Sequence, residues 1–483
     1  MPKIFRGVTS VYKPKFARAV VYMLQATEYD TAKYLSWLYR VFDFGKVMHR
    51  RTLVLTRPAK MLLRAMYAGM LIQIVFGVWL GFHAWHIHHS YVGWVIIALF
   101  LASTPVVWAQ LIVAPLVLGR WFITKPGQWF KVRSSAKVFA NHSATKIAIA
   151  GSYGKTTTKE ILLTVLSQGK KVAATPANEN VAISHAQFAE GLKGDEDILI
   201  IEYGEGGPGD IARFAKATHP NIGVVTGLAP AHLDKYKTLA AAGEDIFSLA
   251  NYLDGGEMYV NEDSKESEPF IHKSFITYGS KKIRDWKVSD VDVKIEGLSF
   301  KMKKGKRELA IKSNLVGEHL IGPLVLAIYM ADKAGLSEKQ IQEGVSSIMP
   351  FEHRMQARPM NGGWLIDDTY NGNIDGMEAG LALLAKLPAK RKIYVTPGLV
   401  DQGRETESVH VRLGEAIAKA APDLVVLMKH AVTNYIVEGL EKAKFKGETR
   451  IEDDPLDFYN NLDKFIAAGD LVMMQNDWPD QYE

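Results

Sequence analysis

Between Arg64 and Arg120 the chain has no Asp, Glu, Lys or Arg, a run of 55 uncharged positions broken only by histidines, Pro105 and Pro115. A soluble core has little use for such a stretch. Crossing roughly 30 Å of hydrocarbon takes about 20 apolar residues as a helix, so the run has room for two spans and a tight turn. The expected spans are 66–86 and 91–118, joined by His86-Ile87-His88-His89-Ser90, with Trp79, Trp85, Tyr91, Trp94, Trp108 and Trp121 as interfacial or bundle-facing rings. Gly77 and Gly81 form a GxxxG pair, which favours close helix pairing. The competing reading is a buried helical hairpin in a soluble domain. For the His86, His88, His89 cluster, a wet interfacial loop is the plainer account than a metal site.

Both flanks are basic: Lys46, Arg50, Arg51, Arg57, Lys60 and Arg64 before, Arg120, Lys125, Lys131 and Arg133 after. The positive-inside rule then puts both ends in the cytoplasm. A cleaved signal peptide is not expected, because the apolar stretch starts some 60 residues in. Residues 1–146 hold 19 Lys and Arg against three acids, whereas the rest of the chain holds 39 against 49. Beside an apolar run, that basic start points to an anionic membrane surface, with membrane lipids as partners and no nucleic acid. Ahead of the run, Phe16, Val20, Leu24, Tyr34, Leu38 and Phe42 recur at helical spacings, as in amphipathic helices.

A chain of 483 residues is too long for one ordinary domain and suggests about three folded parts. It contains no cysteine, which excludes disulfides, a thiolate nucleophile and Cys-ligated zinc or iron–sulfur centres. From Lys146 onward short apolar runs alternate with helical stretches, the pattern of a parallel sheet with crossover helices. The run Ile147–Ala150 leads into Gly151-Ser152-Tyr153-Gly154-Lys155-Thr156-Thr157-Thr158 and then a helix at about 157–167. This strand, glycine turn and helix can cradle phosphate: backbone N–H groups approach it, Lys155 reaches the terminal phosphates, and Thr156 can ligate magnesium. The full Walker spacing needs glycine at 149, where Ile149 stands, so GxxGKTT is a narrower variant.

Two more runs end in metal-suited residues, one at Glu202 before Tyr203-Gly204-Glu205-Gly206-Gly207-Pro208-Gly209, the other in the loop carrying His232 and Asp234. Strand carboxyl ends converge on the ligand crevice of a doubly wound sheet, where a carboxylate and an imidazole can hold magnesium. Residues 286–315 read as an antiparallel hairpin turning at Lys303-Lys304-Gly305-Lys306, followed by helices near 318–334 and 337–348. Beyond Pro350, runs at 364–366, 392–395, 424–428 and 471–474 alternate with helices at Gly376–Leu387 and His410–Ala421. Asp367, Asp368, Asn371 and Asn373 follow a strand end, and Gly398-Leu399-Val400-Asp401-Gln402-Gly403 is a candidate substrate-side loop. The expected architecture is α/β, with parts at 1–60 (basic amphipathic helices), 61–125 (membrane hairpin), 140–348 (P-loop parallel-sheet domain) and 349–483 (Rossmann-like domain).

Five stretches together resemble the ATP-dependent Mur ligases, nearest the MurF type: 151–160, 175–180, 202–214, 228–234, and 353–355 with 365–381. They stand in family order over about 70% of the chain. The resemblance implies an ATP- and Mg2+-dependent ligase joining D-Ala-D-Ala or a similar amine to a cell-wall peptide precursor through an acyl phosphate. It implies that Lys155, Glu202, His232 and Arg354 are catalytic and that Thr156, Glu202 and His232 hold metal. Gly151, Ser152, Gly154, Lys155, Thr156, Thr157, His319, Arg354, Asp368 and Asn373 would contact nucleotide, and Asn178, Asn180 and Asn371 the acceptor. Together with the basic-flanked apolar run, the expected location is a bacterial cytoplasmic (inner) membrane with the catalytic domains facing the cytoplasm. Because basic helices and that run stand where MurF-type enzymes carry a soluble domain for the uridine nucleotide sugar, the acceptor is expected to be nucleotide-linked or lipid-linked.

Two positions depart from the family pattern. Gly243 stands where the family usually has a carbamylated lysine, with Glu244 or Asp245 as candidate substitutes. The usual adenine-contacting His-Asn and later Asn read His319-Leu320-Ile321-Gly322-Pro323. The alternatives are a polyglutamate-synthase-like ligase, a non-catalytic nucleotide-binding scaffold for wall synthesis, and a transport or partitioning ATPase.

Overall fold

The computed structural model describes residues 9–476 apart from 28, 42–43, 45–52, 88–90, 231–232, 254, 371, 400–401 and 403–404, and leaves the side chains of 85–87, 123, 233–234 and 456 undescribed. The chain divides between Trp129 and Phe130 into two compact units.

The first unit is helical: Phe16–Ala26, Thr31–Arg40, Arg57–Ile87, Tyr91–Ala102, Thr104–Leu111 and Val113–Gly119. Asp30 starts the second helix by accepting from the N–H groups of Ala32 and Lys33, at 2.9 and 3.1 Å. Phe16, Val20, Leu24, Tyr34, Trp37 and Leu38, the apolar faces of the two short helices, pack on Leu62, Leu63, Met66 and Ile112. Farther along, Leu71, Ile72, Val75, Phe82, Ile96 and Leu99 are each more than half exposed. Phe42 and the His88–His89 turn lie outside the described residues, as do the side chains of Trp85 and His86.

By length and composition Arg57–Ala84 and Thr104–Asn141 could each cross a membrane, while Tyr91–Ala102 is shorter. The expected second span, 91–118, is therefore not one helix. It is interrupted at Ser103, two residues before Pro105, whose ring clashes with the preceding turn and which offers no N–H. The turn at Ile112, three residues before Pro115, by contrast leaves Thr104–Asn141 continuous enough to count as one span. The glycines do allow close pairing. A Cβ on Gly77 would meet Leu101 Cδ2 at 2.5 Å, and one on Gly69 would meet the Trp108 ring at 2.2 Å; at Gly81 the nearest ring atom, from Trp94, is 3.5 Å away. Gln73 Nε2 donates to the Phe100 carbonyl across the same contact at 2.9 Å.

The second unit contains two sheets. The first comprises β1 (Thr145–Ala150), β2 (Val172–Ala174), β3 (Ile198–Glu202), β4 (Ile222–Val225), β5 (Glu257–Asn261), β6 (Ile276–Tyr278), β7 (Lys282–Ile283), β8 (Trp286–Lys294), β9 (Gly297–Lys304) and β10 (Arg307–Ser313). Their order is β10-β9-β8-β7-β6-β5-β4-β1-β3-β2, parallel from β2 through β6 and antiparallel beyond. The expected hairpin at 286–315 is thus a three-stranded meander continuing this sheet, and Lys303 and Lys304 belong to a strand.

Period-two alternation fills both faces of the parallel strands. Ile147, Ile149, Ile198 and Ile200 join one core with Ile161, Leu162 and Val165, while Ala148, Ala150, Leu199 and Ile201 join another with Phe139, Phe214 and Ile246. Each fully buried aliphatic side chain contributes about 1.5–3 kcal/mol. The helix after β1, Lys155–Leu166, covers the first face, and the helix after β3, Asp210–Thr218, covers the second. Chain direction across the sheet therefore reverses between β1 and β3, which opens a crevice beyond their carboxyl ends.

The second sheet comprises β11 (Gln356–Met360), β12 (Gly363–Asp368), β13 (Arg391–Thr396), β14 (Leu424–Met428), β15 (Glu448–Glu452) and β16 (Asp470–Gln475), in the order β11-β12-β16-β13-β14-β15. Only its β11 edge is antiparallel. The helices Ile374–Lys386 and Thr406–Ala420 pack on one face through Met377, Leu381, Leu384, Leu413 and Ile417.

Candidate active site

The crevice takes its floor from the turn after β1. Gly151 has φ +137°, and a Cβ there would sit 2.3 Å from Thr226 Oγ1 and 2.9 Å from the Gly227 carbonyl. Only glycine fits that approach. Gly154, at φ +73°, begins the helix Lys155–Leu166, and Ser152 N–H donates to the Gly227 carbonyl at 2.8 Å. The turn is thereby tied to the loop after β4, and the helix N-terminus faces the cavity with its favourable dipole.

Lys155 Nζ pairs with Glu205 Oε2 at 2.7 Å and also donates to the Gly151 carbonyl. Thr156 Oγ1 donates to Glu202 Oε1 at 3.1 Å, and Asn180 Nδ2 donates to the same oxygen at 3.2 Å. The other oxygen, Glu202 Oε2, is buried. It faces Lys159 Nζ at 3.2 Å as an ion pair, but no described group gives it a hydrogen bond. An under-bonded buried carboxylate oxygen beside a threonine hydroxyl is a hard-oxygen donor set suited to magnesium, and the glycine turn suits phosphate, so these residues fit a magnesium–nucleotide group. Behind them His185 Nε2–H donates to the Glu202 carbonyl at 2.8 Å. Burial pushes this imidazole down to about 4, so it is neutral at physiological pH.

The opposite wall comes from the second sheet and its loops. The Arg354 guanidinium lies over the Tyr370 ring, 4.2 Å from its centroid, and Asn178 Nδ2 donates to the Tyr370 hydroxyl. Asp368 accepts from Met355 N–H at 3.1 Å and from Gln475 Nε2 at 2.8 Å. Burial nevertheless pushes its carboxyl up to about 6. Asn373 Oδ1 accepts from Gly376 N–H at 2.9 Å and caps the helix Ile374–Lys386.

One cavity of about 470 Å³ unites most of the expected residues: Ser152, Gly154, Lys155, Thr156, Thr157, Asn178, Asn180, Glu202, His319, Arg354, Asp368 and Asn373 all line it. That volume lies in the range of small-molecule sites. Gly151 shapes the floor without lining it. His232 and Asn371 lie outside the described residues, as do Val400, Asp401 and Gly403 of the candidate substrate-side loop. Among the described residues no cluster of three His, Cys, Asp or Glu side chains could hold a metal by itself.

Neither carboxylate considered as a substitute at the Gly243 position lines the cavity. Asp245 is committed to Gly209 N–H and the Tyr236 hydroxyl, each at 2.9 Å, and Glu244 is exposed. Gly243 is itself closed over, since a Cβ would meet the Phe270 ring at 2.3 Å. Leu320 and Pro323 do line the wall beside His319, accompanied by Asn261 and Asp263. Sequence reading missed those two polar residues, along with Lys159, Glu205 and Tyr370. Lys159, Glu205 and Tyr370 all stood inside the stretches that carried the resemblance, but Lys159 read there as an ordinary helical lysine.

Comparison with known proteins accords with this geometry. Residues 149–331 match the Mur ligase middle domain, and residues 353–475 match the domain described as Mur ligase, glutamate ligase domain. The chain belongs to the Mur ligase family, whose members are ATP-dependent ligases that form C–N bonds and use Mg2+. The particular relatives are of the MurF type. The chain is 30% identical over 338 residues to the UDP-N-acetylmuramoyl-tripeptide–D-alanyl-D-alanine ligase of Synechocystis sp., covering 68% of this chain and 71% of that one. It is 27% identical over 306 residues to the Escherichia coli protein of the same name, covering 60% and 66%. Among solved structures, MurF from Thermotoga maritima in complex with ADP superposes with TM-score 0.63 at 22% identity, covering 72% of this chain and 80% of that one. MurF from Acinetobacter baumannii gives 0.62 at 19%, covering 72% and 77%.

Proposed function

We propose that this chain is a membrane-anchored ligase that adds D-Ala-D-Ala to a UDP-N-acetylmuramoyl-tripeptide or its membrane-presented equivalent on the cytoplasmic face of a bacterial inner membrane. The observation that carries the ligase reading is the single cavity in which the glycine turn, Glu202 and the Arg354–Tyr370 wall meet. The anchor is supported by the outward-facing apolar surface at Leu71–Phe82 and the basic residues flanking it.

In this reading the γ-phosphoryl group of ATP passes to the tripeptide's terminal carboxylate, and the amine then displaces phosphate to leave an amide. No nucleophilic side chain is needed. Lys155 leaves Glu205 for the terminal phosphates and stabilises the charge that develops in flight. Thr156 and Glu202 would hold Mg2+, which neutralises phosphate charge when bound. Lys159 holds Glu202 in place through their ion pair, Asn178 and Asn180 face the acceptor, and Arg354 approaches the nucleotide from the opposite wall.

The test is phosphate release by the detergent-purified chain with ATP and Mg2+, offering D-Ala-D-Ala or glutamate with nucleotide-linked or lipid-linked muropeptide, and Lys155→Ala as the blank. Release requiring both a muropeptide and D-Ala-D-Ala is the expected result, and the productive muropeptide identifies the carrier. Release with glutamate alone as amine would instead assign the polyglutamate type. Loss of Lys155 should slow turnover about 10²–10³-fold.

A further inference from the structure

A second cavity, a hollow of about 550 Å³ open to solvent, is lined wholly by residues of the first unit and shares none with the cleft described above. Its wall carries four cations from two helices. Lys15 and Arg18 stand at the start of Phe16–Ala26, while Lys60, Arg64 and Tyr67 form one stripe of Arg57–Ile87 at i, i+4 and i+7. The helices are joined beneath by Phe16, Val20, Leu62 and Leu63, so buried packing fixes the convergence of the cations. None of the four charged groups is paired with a described residue. Asp30, the one carboxylate among the described residues of this unit, is committed to the N–H groups of Ala32 and Lys33. Like charges gathered around one cavity repel each other and favour an anion there.

The apolar surface indicates which anion. Exposed apolar side chains occur beside the cations at Leu55 and Met61 and become dense from Leu71, seven residues past Arg64, or about 10 Å along a helix. Tyr67, a residue type favoured at headgroup depth, stands between Arg64 and Leu71. With the apolar surface in hydrocarbon, the four cations lie level with lipid phosphates. We propose that this cavity binds a phosphate group presented by an anionic lipid headgroup, with Arg18 and Arg64 gripping its oxygens and Lys15 and Lys60 supplying further positive charge. The lipid source rests on the membrane reading above; the phosphate chemistry does not.

The test is native mass spectrometry of the full chain in neutral detergent, titrated separately with phosphatidylglycerol, phosphatidylcholine and inorganic pyrophosphate. The expected result is preferential retention of phosphatidylglycerol, reduced about a hundredfold in Arg18→Gln/Lys60→Gln/Arg64→Gln. The control Lys33→Gln/Arg40→Gln removes exposed charge from the neighbouring helix and should bind as wild type. Arg64→Lys, which keeps the charge but loses the planar fork, should fall between the two. Equal retention by the triple variant and the control would overturn the site. Pyrophosphate capture that the triple variant loses, with no preference between the two lipids, would keep the phosphate site and overturn the lipid as its source. Carbonate extraction and ligase turnover on the same preparations read the anchor and the enzyme separately, so failure of either is distinguishable from failure of the cavity.

Discussion

The two units dispose of the same kinds of residue in opposite ways. In the unit beginning at Phe130, both faces of β1 and β3 are sealed by aliphatic side chains, and the charges drawn inside have partners, as with Lys155–Glu205 and Lys159–Glu202. In the unit before it, Leu71, Ile72 and Phe82 face outward, while Lys15, Arg18, Lys60 and Arg64 have no described partner. Hydrophobicity alone does not place a side chain inside a protein. On the membrane reading proposed above the medium does, and the contrast is between a unit that seals its apolar side chains inside and one whose exposed apolar surface would suit hydrocarbon.

The largest effect is expected where the second unit buries charge. Lys159→Met keeps most of the volume but leaves Glu202 facing an apolar neighbour, and breaking a buried pair from one side costs about 3–5 kcal/mol. Denaturant titration should show that loss, and ATP with Mg2+ should recover part of it by supplying the missing positive charge. A loss no larger than the ~1 kcal/mol of an exposed pair would mean that Glu202 is already neutralised some other way. In the first unit the corresponding experiment adds a charge. Ile72 is exposed, and on the membrane reading Ile72→Arg should cost about 2.5–3.5 kcal/mol of insertion, read as reduced carbonate-resistant retention in membranes. On a surface facing water the same change would lie within about 0.5 kcal/mol, and the contrast between the units would collapse. Smaller again is Gly69→Val, whose side chain would run into the Trp108 indole. Overpacking costs about 1–3 kcal/mol, and the ligase rate in detergent should not change.

How much of this was legible in sequence also differs between the units. The glycine turn could be read because its chemistry is local: Gly151, Gly154, Lys155 and Thr156 are contiguous, and the strand and helix that position them flank them directly. The strands β12, β13, β14 and β16 announced themselves as apolar runs because both their faces are buried. The edge strands β11 and β15 did not, since Gln356–Met360 contains Arg358 and Pro359, and Glu448–Glu452 is largely exposed. The interruption at Ser103 was marked by Pro105, yet composition alone ran across it. Lys159 was illegible for another reason. Its importance lies in a carboxylate 43 positions away, and only the β1–β3 pairing brings Glu202 beside it.

Asp368 gives the smallest effect and the one most specific to the cleft. Burial, with a further contribution from the charge of Asp367, holds its carboxyl near 6 against an ordinary 3.8, despite the opposing hydrogen bonds from Gln475 and Met355 and the charge of Arg354. A folded-state pKa above the unfolded one means that the folded chain binds this proton more tightly. The stabilising contribution is therefore complete below about 3.8 and is lost as pH rises to about 6. Asp368→Asn removes that dependence while keeping an acceptor for Met355 N–H, so the variant should gain stability relative to wild type between these limits and hold the gain above them. The shift should be of order 2–4 °C in Tm or less, because Arg354 already offsets part of the ionised carboxylate's cost. The comparison requires thermal melts at pH 4 and pH 7.5, with the unsubstituted chain measured in parallel. A variant whose relative stability is the same at both would show that Asp368 is already ionised in the folded cleft at low pH. Arg354 would then be its close partner before any nucleotide arrives.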